Sequence, residues 1–232
     1  MGTFITRWIW RIFLLSIGAV LVYQSWIFSH VVYWNFYNPS SSAFMEDRLD
    51  ALRQRNAAAV LRAQWVPYEK ISPSLKRAIV AAEDSKFLVH EGFDFEAIQL
   101  AYEKNLKKGK LVAGGSTISQ QLAKNLFLSG ERTPWRKIQE AIITLMLETV
   151  MSKRRILEIY LNVIEWGHGV FGAEAAARHY YGVSASSVTV EQASRLAAMI
   201  PSPRFYDKNR NTPWLSKKTG IIRNRMAAAQ IP

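Results

Sequence analysis

The sequence predicts an all-α fold, with one N-terminal transmembrane helix ahead of a helical domain. Three observations carry this. Residues 12–28 form an uncharged apolar run, and no Asp, Glu, Lys or Arg occurs between Arg11 and Glu46. Helix-opening devices, Ser/Thr-Pro pairs and Thr-x-x-Gln boxes, recur from residue 72 onward. No stretch alternates convincingly at period two, and there is no internal repeat or low-complexity tract.

The seventeen residues of the apolar run, extended by Trp8–Trp10 and Val31–Trp34, suffice to cross a hydrocarbon core of about 30 Å. Arg7 and Arg11 precede it, which by the positive-inside rule puts the N-terminus in the cytoplasm. Trp8, Trp10, Trp26, Tyr33 and Trp34 stand near its two ends, where amphipathic rings favour the membrane interface. A cleaved signal peptide is the competing reading, but the run is long for one and no small-x-small site closes it cleanly. Asn38-Pro39-Ser40-Ser41-Ser42 then breaks the pattern. The expected boundaries are 1–37 for cytoplasmic tip and anchor, 38–70 for a polar, partly helical connector, and 71–232 for the main domain.

Within that domain each helix has a local cause. Ser72-Pro73 supplies an N-cap and a Pro at the first helical position, leading into Leu75–Asp84. Thr117 with Gln120 forms a capping box ahead of Ile118–Phe127. Thr133-Pro134 opens a helix to about Met151, and Ile156, Ile159, Tyr160 and Val163 recur at helical spacing. Val170–Tyr181 is Ala-rich and stopped by Gly182. Thr189 with Gln192 caps a helix ending before Pro201, and Thr212-Pro213 opens the last one.

Composition narrows the chemistry. The 232 residues allow one ordinary domain plus a short appendage, and with 49% hydrophobic residues a substantial core can form. Cysteine is absent, which excludes a disulfide scaffold, thiolate catalysis and Cys-ligated metal. The formal charge of +12 calls for a polyanionic partner: nucleic acid, anionic lipid headgroups or a phosphorylated substrate. An anchored domain outside the cytoplasm counts against nucleic acid.

Three polar clusters stand out. Glu83 ends an apolar helix and is followed by Asp84, Phe87 and His90; desolvation there could raise its pKa and make it an acid or base, although a solvated helix terminus reads the same. Gly114-Gly115-Ser116-Thr117 opens a helix whose N–H groups could hold an anion, with Gln121, Lys124 and Asn125 in a polar stripe; an ordinary capped helix is the alternative. Arg136, Lys137 and Glu140 share one helical face, either as a surface ion pair worth a few tenths of a kcal/mol or, in a cleft, as a diphosphate site.

Together these clusters resemble, in order, the motifs of the biosynthetic peptidoglycan glycosyltransferases, the lysozyme-like domain that occurs alone or at the front of class A penicillin-binding proteins. Glu83-Asp84-x-x-Phe87-x-x-His90-x-Gly92-x-Asp94 is similar to the first motif, and Gly114–Gln121 with Lys124-Asn125 to the second. Arg136-Lys137-x-x-Glu140 is similar to the third, Arg155–Asn162 with Gly167, Gly169 and Gly172 to the fourth, and Glu191–Ala197 with Pro201 to the fifth. The resemblance runs from about Ile71 to Phe205. The chain ends at Pro232 without a Ser-x-x-Lys, and Lys218-Thr219-Gly220 reads as a coincidental likeness to a transpeptidase motif, so the monofunctional branch is expected.

The resemblance implies a periplasmic, lysozyme-like domain on a single-pass inner-membrane anchor, with lipid II as donor and acceptor. It implies Glu83 as general base and Glu140 as the second essential carboxylate, one that orients cations or a metal. Lys124, Arg136 and Lys137, with Lys110 a fourth candidate, would meet the leaving pyrophosphate. Ser116, Thr117, Gln121, Asn125 and Asn162 would shape sugar and phosphate subsites, and Asp84, Phe87 and His90 would buttress Glu83. No cofactor is required; a divalent cation (Mg or Mn) is the one assistant allowed, and no residue set has dedicated metal spacing. Membrane lipids, the growing glycan strand and other cell-wall synthesis proteins are the expected partners. Lys104, Lys107, Lys108 and Lys110 could rest on headgroups or simply be solvated. A glycan-cleaving muramidase or lytic transglycosylase, and an inactive cell-wall scaffold, are the alternatives.

Overall fold

A computed structural model of the chain describes residues 2–110, 114–128, 130 and 133–232, with side chains from Thr6 onward. It divides into two compact units, Met1–Asn38 and Pro39–Pro232. The first is a single helix, α1 (Gly2–Phe36). Its Thr6–Phe36 portion, 31 residues with mean hydropathy 1.8, is long and apolar enough to cross a membrane. Hydroxyls within it are satisfied locally: Ser16 and Ser29 donate to the carbonyls of Ile12 and Ser25 at 2.9 and 2.8 Å. A helix in hydrocarbon needs such internal partners, because lipid offers none.

The second unit is helical around one small sheet. In chain order it contains α2 (Ala43–Arg53), β1 (Arg62–Ala63), α3 (Pro73–Glu83), α4 (Phe95–Lys108), α5 (Ile118–Phe127), α6 (Pro134–Val150) and α7 (Lys153–Val163). There follow β2 (Glu165–Gly167), β3 (Val170–Phe171), α8 (Ala173–Tyr181), α9 (Val190–Met199), α10 (Pro203–Lys208) and α11 (Pro213–Arg225). The expected caps form. The Ser72 hydroxyl accepts from Ser74 N–H, and complete capping boxes open α5 and α9. Thr133 and Thr212 cap α6 and α11 ahead of their prolines, and Gly182 closes α8 in the left-handed region.

Several elements go beyond the sequence reading. α4 starts where Asp94 accepts from Ala97 N–H at 2.9 Å, so a residue read only as part of a motif is also an N-cap. The three strands have two or three residues each, too few to show a period. β3 runs parallel to β1 and antiparallel to β2. That pairing takes Val170 and Phe171 out of the expected helix, which begins only after Gly172. Gly172 sits at φ +82°, and a Cβ there would lie 2.7 Å from the Asn162 carbonyl oxygen, so only glycine fits.

The core joins two groups of helices. α9 packs between α3 and α11, while α5 packs against α2, α6 and α7. Trp166, Tyr160, Phe87, Phe171, Ile79, Leu122 and Ile143 are fully buried. Of the expected connector, residues 38–70, the part from Pro39 onward belongs to this compact unit. The Asn162 side chain clamps Val66 from both sides, accepting from its N–H at 2.9 Å and donating to its carbonyl at 3.0 Å. Tyr68 N–H donates to Glu158 at 3.0 Å, and Lys76 donates to the Tyr68 carbonyl at 3.0 Å. Polar backbone of this segment is thus satisfied by side chains from α3 and α7, and it cannot leave without orphaning them.

Asn162 also donates to the Glu158 carbonyl. Replacing Asn162 with Ala removes all three bonds and strands part-buried backbone groups at Val66. The expected loss is on the order of 2–4 kcal/mol, measured as a lower urea midpoint at unchanged slope. An unaltered midpoint would show that the clamp holds nothing.

Candidate active site

Glu83 is the last residue of α3, and its place follows from that helix's burial. Leu75, Ala78, Ile79 and Val80 are all buried, so the helix carries its terminal carboxylate into the protein. Gln121 on α5 donates to Glu83 Oε2 at 2.9 Å, and Tyr160 on α7 donates to Gln121 Oε1 at 2.8 Å. Because the buried phenol donates, the amide oxygen must face it and the amide nitrogen must face Glu83. Three helices therefore meet in one directed chain, Tyr160 to Gln121 to Glu83.

Asp84 fixes the same corner from behind. It is buried, and His90 Nε2 lies 2.9 Å from its Oδ1 while Ile118 N–H donates to its Oδ2 at 3.0 Å. Gly92 N–H donates to His90 Nδ1, which places the imidazole proton on Nε2, facing Asp84. The expected anion at the head of α5 is thus the protein's own carboxylate. Phe87 is fully buried beneath this loop, with its ring centroid 6.5 Å from that of His90. Thr117 is buried too and donates to the Gly92 carbonyl at 2.7 Å, so it holds the loop as well as the cap. Gly115 permits the approach of α4: a Cβ there would lie 2.8 Å from Ile98 Cα.

Burial pushes the Glu83 carboxyl above its usual range; the Gln121 hydrogen bond and the charges of Lys218 and Lys124 pull back, and Asp84 adds to the rise. Burial likewise lowers Lys124, with Glu140 opposing and Arg136 and Lys137 reinforcing the drop. Tyr160 is held well above the ordinary phenol range, chiefly by burial, so it stays a proton donor. These opposed shifts are the pattern expected of chemically active groups.

Two cavities are lined by these residues. One, of about 140 Å³, is lined by Glu83, Asp84, Gly114, Gly115, Ser116 and Thr117, together with Arg225. The other, of about 520 Å³, is lined by Gln121, Lys124, Asn125, Arg136 and Tyr160, and extends to Arg48, Glu165 and Arg204. Glu140 is almost fully buried and pairs with Arg136 Nη1 at 2.8 Å and with Lys137 Nζ. Arg136 Nε is buried without a hydrogen-bond partner. The site thus joins two part-buried cations, Lys124 and Arg136, and Arg136 is held together with the exposed Lys137 by a carboxylate that is itself fully engaged.

The structure separates the sequence candidates. Gln121, Lys124, Asn125 and Arg136 line one cavity, and Glu83, Ser116 and Thr117 the other. Lys137 lines neither and touches the site through Glu140. Lys110 is exposed past the end of α4 and lines neither cavity. Asn162, expected to shape a substrate subsite, is 4% exposed and spends its amide on Val66 and Glu158. Tyr160, Lys218 and Arg225 were missed as site residues. Tyr160 lies within the stretch that resembles the fourth motif and Lys218 within the short Lys-Thr-Gly likeness, whereas Arg225 has no sequence signal. Among the described residues no three His, Asp or Glu side chains gather, and both Glu140 oxygens already meet cations.

The transglycosylase family profile matches residues 50–227. The chain is 76% identical to the biosynthetic peptidoglycan transglycosylase of Nitrosospira multiformis over 99% of its own length and 100% of the relative's. It is 66% identical to the protein of that name from Methylobacillus flagellatus, covering 96% of this chain and 97% of the relative. The Chromobacterium violaceum protein of the same name is 58% identical over 98% of this chain and 100% of its own.

The raised Glu83 pKa has a consequence for stability. Between its unfolded value and its higher folded value the native state binds more protons than the unfolded chain, so stability falls as pH rises through that window. Above the window the full cost of the buried charge is present; below the unfolded value it vanishes. Glu83→Gln should therefore melt higher than the parent at pH 7, with the gap closing near pH 4. An equal or lower melting temperature at pH 7 would mean that the carboxylate is comfortably solvated.

Proposed function

The chain belongs to the transglycosylase family, and from that and the geometry of the cleft we propose that it polymerises lipid II into β-1,4-linked glycan strands of peptidoglycan. The observation that carries this reading is the placement of a desolvated carboxylate, Glu83, bridged by Gln121 to a face bearing Lys124 and Arg136. Glu83 acts as general base, taking the proton from the acceptor's 4-hydroxyl as that oxygen attacks the donor's anomeric carbon. A carboxylate with an elevated pKa is a better proton acceptor than an ordinary one, provided the operating pH keeps it ionised. Gln121, Lys218 and Lys124 oppose further elevation and so preserve the ionised form.

The leaving group is undecaprenyl pyrophosphate. Charge grows on its bridging oxygen as the bond breaks, and Lys124 and Arg136 meet that charge from a site with little competing water. Glu140 keeps Arg136 and Lys137 on one face of α6 without facing the substrate itself. No strong general acid is needed, since pyrophosphate leaves without a proton. Attack opposite the leaving group inverts the anomeric centre. A hydrolytic, muramidase-type reading would use a second carboxylate, whereas the other carboxylates of the first and third motifs are engaged: Asp84 with His90 and Ile118, Asp94 with Ala97 N–H, Glu140 with its two cations.

In this reading α1 spans the inner membrane once, with Arg7 and Arg11 on the cytoplasmic side and residues 39–232 in the periplasm. α4 exposes Phe95, Leu100, Tyr102 and Leu106 and also bears Lys104, Lys107 and Lys108. Exposed apolar side chains beside cations suit a bilayer surface carrying anionic lipid. Protein lacking residues 1–37 should still polymerise lipid II in detergent and still bind anionic vesicles, in a salt-sensitive way. Failure of that truncated protein to fold would show that the anchor belongs to the domain.

The decisive kinetics concern the base and the cations. Glu83→Gln should abolish polymerisation while leaving lipid II binding largely intact. Lys124→Ala should lower kcat by about 10²–10³, the scale for loss of one preorganised donor, and kcat should fall by more than KM rises. Arg136→Lys should be poorly tolerated, because an ammonium cannot reproduce a guanidinium's fork on phosphate. Near-normal kinetics of Lys124→Ala and Arg136→Lys on lipid II would sink the pyrophosphate site, and Glu83→Gln activity within about tenfold of the parent would remove the base.

A further inference from the structure

The larger cavity does not end at Lys124 and Arg136. Its far wall is made by Arg48 of α2, Glu165 of β2 and Arg204 of α10. Arg48 Nε lies 3.2 Å from Glu165 Oε2, and Arg204 Nε lies 3.8 Å from the same oxygen. The Glu165 side chain is 5% exposed, those of Arg48 and Arg204 25% and 50%. Two cations thus share one anion, and among the described residues neither arginine pairs with another carboxylate. Glu165 Oε1 is buried with no hydrogen-bond partner, and burial holds this carboxyl above its usual range although both arginines pull it down.

As a purely structural device this triad is poorly made. A buried ion pair offsets its desolvation only when the remaining lone pairs are satisfied, and here one oxygen has none. An excess positive charge on a cavity wall suits a ligand that brings a carboxylate. A phosphate dianion suits the wall less, since Glu165 stands between the guanidiniums. At about 520 Å³ the cavity is far larger than a pyrophosphate and falls within the ordinary range for ligand sites. A donor whose pyrophosphate meets Lys124 and Arg136 has room in the same cavity for its first sugar, the one bearing the peptide.

We propose that Arg48 and Arg204, braced by Glu165, form a donor-side subsite for a carboxylate of the peptide carried on the glycan. The assignment rests on the polymerase reading above and adds to it which part of the substrate is recognised at that wall. Phe44 supports the arrangement: the Arg48 guanidinium lies 4.5 Å over its ring, which fixes the fork without consuming its donors.

The test uses full-length protein in detergent with two lipid-linked disaccharide-peptide substrates, one with free peptide carboxylates and one with every carboxylate amidated. Wild type should favour the acidic substrate in kcat/KM by about tenfold or more, the scale of a charge-assisted hydrogen bond. Arg204→Ala and Arg48→Gln should each reduce that ratio to about twofold or less, through KM rather than kcat. Arg204 is half-exposed, so its loss should leave the melting temperature unchanged and keep the comparison interpretable. A wild type indifferent to amidation would overturn the assignment, as would variants that keep the parental ratio while losing activity on both substrates. Absence of polymer from wild type with either substrate would instead overturn the proposed function, and this subsite with it.

Discussion

The hydrogen bond from Gln121 to Glu83 is the joint on which the cleft depends. It crosses from the end of α3 to the polar face of α5, and Tyr160 on α7 sets its direction by occupying the amide oxygen. Without it, a carboxylate at the end of a buried helix would keep its proton or turn toward water. With it, the ionised form has one strong partner that carries no compensating charge. The position is held, yet the group remains basic. Asp84 does the complementary work, joining the loop after α3 to the first turn of α5.

Charge balance follows from the same constraint. Lys124, Arg136 and Lys137 are close enough that the latter two depress the pKa of the first. Such a cluster would spread apart if nothing opposed it. Glu140, buried on α6, pairs with both Arg136 and Lys137. It leaves a net positive field and one buried guanidinium N–H unmet. An anion entering there replaces no strong protein partner, which is what a site for developing negative charge requires.

The same logic separates two uses of polar residues that look alike in sequence. Asn125 and Asn162 are both buried asparagines, and each donates to a carbonyl on its own helix. Asn125 lines the larger cavity, whereas Asn162 turns the rest of its amide to Val66 and binds the segment before α3 to α7. An amide with every hydrogen bond made inside the fold holds structure. One at a cavity wall can exchange partners with a ligand.

The sequence by itself determined the elements whose causes are local. The hydroxyls of Ser72, Thr117, Thr133, Thr189 and Thr212 each cap a helix by accepting from an N–H two or three residues on, so the whole signal fits within one turn. The apolar run of α1 and the polar stripe Gln121, Lys124, Asn125 are legible for the same reason. Only the tertiary structure decided which groups are desolvated and which charges face each other. Arg48, Glu165 and Arg204 come from α2, β2 and α10 and meet at one wall, with no spacing in the chain to announce it. Lys218, from the last helix, bears on Glu83 although more than a hundred residues separate them. The short strands formed because Val170 and Phe171 found partners at Arg62 and Ala63, against the helical preference of their own neighbourhood. Capping acts over a turn of backbone, whereas burial and Coulomb interaction depend on distances in space that only packing sets.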